Sequence, residues 1–351
     1  MGDESLAPYT YMGRPYTGDD SSSSAFSDCN SDQSGEFSSA SAQHRRLFLA
    51  SISENSSDDL ISQLVADLES CSIDSQRQAA LELRLLAKNK TENRLKIARA
   101  GAVKPLISLI QSSDVQLQEY GVTAILNISI CSETKDLIVA AGAIKPLVRA
   151  LRSGTPTAKE NAAIALLRLS EVEENKIVIG RAGAIPPLVD LLENGGVRGK
   201  KDAATAIFSL CSVKENKIKA IQAGIMKPLV ELMADFESGM VDKAAYVVSQ
   251  LVSVPEGKSG LVDEGGIPVL VEIVEVGSQR QREISVLILL QVCEESATYR
   301  SMVTREGAIP PLVALTQSGT TRAKQKAEAL LNLLRQPRSG NGATRSSDLS
   351  S

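Results

Sequence analysis

The chain has 351 residues and a net charge of −4, with no Trp, one His and five Cys. The lone histidine and the five scattered cysteines exclude histidine-based catalysis, a His-rich metal site, a zinc site of paired cysteines and a disulfide framework. Charge divides by region: residues 1–57 hold eight acids and three bases, residues 337–351 two arginines and one aspartate, and the body balances 33 against 33. A neutral body lacks the basic face of an electrostatic nucleic-acid binder.

In chain order, residues 1–42 come first. They are rich in Ser, Gly, Asp and Tyr and poor in branched aliphatics. Such a segment cannot offset the entropy of ordering, so we expect a disordered acidic tail, with serines beside acids that suit acid-directed kinases. The N-terminus has no apolar signal core, and Leu6 stands where a myristoylation pattern needs Ser or Thr. Residues 43–57 contain "HRRLFLASI", His44 to Ile52. This reads as a short helix, either covering the exposed end of the first repeat or docking on a partner.

From residue 58 to 336 one motif returns: "AGAVKPLISLI" from Ala100, "AGAIKPLVRAL" from Ala141, "AGAIPPLVDLL" from Ala182, "AGIMKPLVELM" from Ala223, "EGGIPVLVEIV" from Glu264 and "EGAIPPLVALT" from Glu306. Its glycines, Gly101, Gly142, Gly183, Gly224, Gly265 and Gly307, are spaced 41, 41, 41, 41 and 42 residues apart. A polar marker inside an apolar run keeps the same step of 41: Asn127, Arg168, Ser209, Gln250, Gln291 and Asn332.

Each unit resolves into three helices. Examples are a short first helix such as "ENKIVIGRA" from Glu174, a second such as "AIPPLVDLL" and a long third such as "KENAAIALLRLS" from Lys159. The glycine suits a turn with positive φ, and the prolines fall in the first helical turn, where an N–H has no acceptor to lose. Small residues such as Ala162, Ala163, Ala203, Ala204, Ala244 and Ala245 recur early in the third helices and allow close approach of neighbours. One such unit cannot bury its apolar face, whereas stacked units can.

The first unit is partial, with "SDDLISQLVADLES" and "SQRQAALELRLLA" as second and third helices, and Leu85 in place of the polar marker. Cys211 and Cys293 sit at matching places and read as small buried hydrophobes. The longest apolar run, "VLILLQV" from Val286, is too short to cross a bilayer. Residues 337–351 read as a disordered polar tail.

The pattern "ENK…AGAIPPLV.LL" with "AA.AL..LS" resembles armadillo repeats, and in particular the armadillo region of plant U-box proteins. The resemblance implies an all-α, right-handed superhelical solenoid of six full three-helix repeats plus an N-terminal partial one. A U-box is expected to be missing, since nothing in residues 1–57 resembles one. Armadillo proteins of the importin-α type hold basic peptides on a Trp-x-x-x-Asn ladder. Here that ladder reads Thr123 and Asn127, Ile164 and Arg168, Thr205 and Ser209, Tyr246 and Gln250, Leu287 and Gln291, Glu328 and Asn332, with every Trp missing. Binding of import signals is not expected.

The same resemblance puts the third helices on a concave groove. The candidate binding residues are Asn127, Arg168, Ser209, Tyr246, Gln250, Leu287, Gln291 and Asn332, with Tyr246 as an aromatic anchor and Leu287 as an apolar one. One turn back, Glu119, Glu160, Lys201, Asp242, Glu283 and Lys324 make the groove mixed and mildly acidic. The competing reading is that these polar side chains face solvent or bridge adjacent repeats. The expected function is a non-enzymatic scaffold that binds a peptide or helix of another protein. Its rivals are a ubiquitin-ligase component and a transport adaptor. No catalytic residue, cofactor, metal, nucleic acid or membrane is expected, and the protein should be a monomer of the cytoplasm or nucleus.

Overall fold

A computed structural model describes residues 54–336, which form twenty α-helices and two short 3₁₀ turns. The expected tails at 1–42 and 337–351 and the segment His44–Ile52 lie outside the described residues. Helix α1 (Glu54–Leu68) begins four residues before the expected boundary at 58, and with α2 (Ile73–Asn89) it makes the partial repeat.

Repeat 1 comprises α3 (Thr91–Arg99), α4 (Val103–Ile110) and α5 (Val115–Ser129); repeat 2, α6 (Lys135–Ala140), α7 (Ile144–Ser153) and α8 (Pro156–Leu169). Repeat 3 is α9 (Glu173–Arg181), α10 (Ile185–Asn194) and α11 (Val197–Leu210); repeat 4, α12 (Lys214–Gln222), α13 (Met226–Ala234) and α14 (Val241–Leu251). Repeat 5 is α15 (Pro255–Asp263), α16 (Gly266–Val276) and α17 (Gln279–Cys293); repeat 6, α18 (Ala297–Arg305), α19 (Ile309–Ser318) and α20 (Thr321–Leu334).

The turn between first and second helix works as the glycine spacing predicts. The six motif glycines all have positive φ, from 74° at Gly265 to 87° at Gly101. Around Gly183 the N–H of Ala184 reaches Ile179 O at 3.4 Å and that of Gly183 reaches Gly180 O at 3.3 Å. This pair of bonds satisfies the last carbonyls of α9 and needs a left-handed residue between them. Pro186 and Pro187 then occupy the first turn of α10, so they start that helix.

Third helices carry side-chain N-caps at Asp114, Thr155, Ser278 and Thr320. Helix α14, with 11 residues, is shorter than the other third helices, which have 14 to 17. It begins only at Val241, because a 3₁₀ turn at Phe236–Ser238 and Gly239, with φ of 63°, take up the preceding chain.

Packing follows the repeat. Third helices stack on one another from α2 through α5, α8, α11, α14 and α17 to α20, and each also packs on the second helix of its own repeat. Ala162, Ala163, Ala203, Ala204, Ala244 and Ala245 are all fully buried, as are Cys211 and Cys293. One continuous apolar core runs from Ile61 to Leu331, so each repeat supplies a wall for the next. Among the described residues no helix is long and apolar enough to cross a membrane.

Candidate partner-binding groove

The third helices stack in one row, the row that the armadillo resemblance puts on the concave side, and on each of them two polar positions eight residues, or two turns, apart share one face. Much of this polar row is spent on joining repeats. Glu119 accepts from Thr155 Oγ1 at 2.8 Å, Asp242 from Gln281 Nε2 at 3.4 Å and Glu283 from Thr320 Oγ1 at 2.6 Å. Glu160 pairs with Arg198 at 3.6 Å. In each case the partner lies near the start of the next third helix, so a carboxylate holds the register of the stack.

Deeper in the wall, fully buried Asn161 donates to Thr123 Oγ1 at 2.9 Å and accepts from Arg198 Nη2 at 2.9 Å. Arg198 Nε lies 3.5 Å from Asp202, which is only 4% exposed. Burial pushes the Asp202 carboxyl up to about 7, with Arg198 only partly offsetting it. The centre of the groove therefore carries a coupled polar cluster across repeats 1 to 3.

The candidate residues separate on this frame. Asn127 is buried, and its Nδ2 donates to the Arg84 carbonyl of the preceding third helix at 2.9 Å. Ser209 shares a hydrogen bond with Ser170 of the preceding repeat at 2.8 Å. Arg168 is half-buried and donates to Glu171 at 2.9 Å, and Glu171 also binds Lys135. Burial favours the neutral form of Glu171, but the bonds from Lys135 and Arg168 outweigh it and hold the carboxyl below its usual range.

The expectation of an aromatic anchor at Tyr246 is corrected. Tyr246 is 4% exposed, edge-on to Phe208 at 6.4 Å, and covered by the Arg280 guanidinium 5.3 Å from its ring centre. Its hydroxyl accepts from Arg280 Nε at 3.3 Å. Asn127 and Ser209 are corrected in the same way, because repeat-to-repeat hydrogen bonds already use them. Gln250 and Gln291 remain half-buried on neighbouring α14 and α17, Leu287 is half-buried against the core, and Asn332 is exposed on α20.

A second recurrent polar set escaped the sequence reading. Asn93, Asn175 and Asn216 each donate Nδ2 to a carbonyl closing the previous third helix: Leu86, Leu169 and Leu210, all at 3.0 Å. Thr134 does the same with Ile128 at 2.6 Å. Their common step of 41 residues, each after a Glu and before a Lys or Arg, was the available signal. These residues fix the angle at which one repeat enters the next.

Helix triplets, left-handed glycine turns and stacked third helices define an armadillo-repeat solenoid. The chain belongs to the family described as the plant U-box protein ARM repeat region, whose family model matches residues 58–350. Among similar proteins, U-box domain-containing protein 2 of Arabidopsis thaliana is 50% identical over 83 residues, 24% of this chain and 12% of that protein. E3 ubiquitin-protein ligase SPL11 of Oryza sativa subsp. japonica is 53% identical over 70 residues, 20% of this chain and 10% of that protein. The matches thus span only a small part of these relatives.

The fold is shared with a crystallised engineered protein at a TM-score of 0.71 and 26% identity, covering 79% of this chain and 68% of that one. Computationally designed armadillo repeat proteins for modular peptide recognition share it at a TM-score of 0.50 and 23% identity, covering 78% of this chain and 99% of theirs.

Proposed function

We propose that the chain is a non-enzymatic scaffold that binds an extended peptide or a helix of another protein along the third-helix groove. It acts as a monomer in a reducing compartment, the cytoplasm or the nucleus. One observation carries the reading: the third-helix marker changes from Asn127 through Arg168, Ser209 and Gln250 to Asn332, with Arg168, Gln250 and Gln291 half-buried, while the motif that builds the solenoid stays constant. Constant scaffolding with a variable inner row is what recognition along a repeat array requires.

The test is affinity purification with the wild type and with an Arg168→Ala, Gln250→Ala, Gln291→Ala variant. Loss of specific partners supports the groove, and identical partner sets sink it.

Membership in the plant U-box armadillo family favours a second reading, in which the groove holds a protein destined for ubiquitination. Adding this chain to a ubiquitination reaction that contains a captured partner and a ligase separates the two. A partner modified only when the chain is present supports the second reading, and modification that is independent of the chain leaves the plain scaffold.

A further inference from the structure

The outer face of the second helices is divided by charge. In repeats 1 and 2 it carries Lys104, Lys145, Arg149 and Arg152, all exposed. Lys145, Arg149 and Arg152 are spaced four and three apart on α7 and so form one stripe, while Lys104 holds the position of Lys145 on the adjoining α4. None of the four is within ion-pair distance of a carboxylate among the described residues. At the places of Arg149 and Arg152 the sign reverses in the following repeats, to Asp190 and Glu193 on α10, Glu231 on α13, and Glu272 and Glu275 on α16, again all exposed; exposed Lys227 on α13 keeps the place of Lys145 but has Glu231 one turn on.

The same chain supplies an anionic segment of matching sign. Between Pro15 and His44 there are five acids, Asp19, Asp20, Asp28, Asp32 and Glu36, and no Lys or Arg. Seventeen residues, 37–53, join Glu36 to the start of α1. At about 3.4 Å per residue these reach about 55 Å. Repeats 1 and 2 begin one and two helix-packing steps from α1, about 10 Å each.

We infer that the acidic segment Asp19–Glu36 docks on the basic second-helix face of repeats 1 and 2, formed by Lys104, Lys145, Arg149 and Arg152. Exposed charge pairs are individually weak. Tethering compensates, because the segment is held at a high effective concentration beside its site. The acidic row that starts at Asp190 repels the same segment and confines it to the first two repeats. Occupation would leave the third-helix groove open and would close the second-helix face to other anionic partners.

Zero-length carbodiimide coupling, which joins a lysine amine to a carboxylate, tests this on the full chain. At low salt, coupling should connect Lys104 and Lys145 to the peptides spanning Asp19–Glu36, within one molecule when isotopically light and heavy chains are mixed. The yield should fall at least fivefold in 500 mM salt, where the Debye length drops below about 5 Å. It should fall comparably in an Arg149→Glu, Arg152→Glu variant, whose exposed positions leave the melting curve unchanged. Three outcomes would overturn the inference: no such couplings, couplings spread evenly to distant lysines such as Lys227, or couplings found only between light and heavy chains.

Discussion

Helices α10 and α19 begin with the same five residues, Ile-Pro-Pro-Leu-Val, yet they live in different surroundings. Leu188 and Leu312 are both fully buried, whereas Ile185 is 0% exposed against 40% for Ile309, and Val189 is 4% against 38% for Val313. The leucine is covered by its own repeat. The isoleucine and valine are covered by the repeat that follows, and repeat 6 has none after it among the described residues. Identical sequence therefore carries two kinds of burial, one internal to the unit and one supplied by stacking.

The sharpest way to break this comparison is truncation at its two ends. Ile185→Ala should cost about 2–4 kcal/mol, as an aliphatic removed from a closed core does, and Ile309→Ala less than about 1 kcal/mol. Urea denaturation of both variants measures the gap, and equal losses would mean that stacking does not set the burial of this position.

The next effect contrasts Asp202 in repeat 3 with Asn161 at the same place in repeat 2. Burial raises the folded-state pKa of Asp202 to about 7, well above the ordinary carboxylate range. Its contribution to stability is thus present below the ordinary carboxylate range and is lost as pH rises through about 7. Asp202→Asn should accordingly stabilise the protein at pH 8, on the order of 1–2 kcal/mol after allowing for the Arg198 pairing, and the gain should vanish near pH 4. Thermal unfolding across that range reads it, and a gain that grows toward low pH contradicts the assignment.

A third pair uses the polar marker. Asn127→Ala removes a buried bond to Arg84 O and should cost about 1–2 kcal/mol, whereas exposed Asn332→Ala should cost less than about 0.5 kcal/mol. The last pair should show no difference. Gly183 and Gly307 have φ of 85° and 80°, and an added Cβ meets nothing closer than Arg152 Nη2 at 3.8 Å in the first and nothing within 4 Å in the second. Alanine at either should cost a similar ~1 kcal/mol, because the penalty is the left-handed backbone itself. Unequal melting shifts would show that the turn is coupled to stacking.

Most of the fold was legible in the residues. A period of 41, a glycine at the C-terminal end of each first helix, prolines in the first turn of second helices and paired alanines early in third helices are local requirements, and local requirements leave a mark at fixed spacing. The groove was less legible. Tyr246, Asn127 and Ser209 share their register with Gln250 and Gln291 or lie one turn from it, but Tyr246 and Asn127 are buried under Arg280 and against the Arg84 carbonyl, and half-buried Ser209 is bonded to Ser170, each partner contributed by a neighbouring repeat.

By itself, then, the sequence determined the unit: three helices, a left-handed turn between the first two, an apolar face too large for one repeat to cover, and polar markers on the third. The tertiary structure alone decided which of those markers stay available and which apolar side chains remain exposed. The first depends on groups 34 to 43 residues away and the second on whether a following repeat covers the face. Such contacts form only when one repeat is laid on the next, and helical periodicity within a unit carries no record of them.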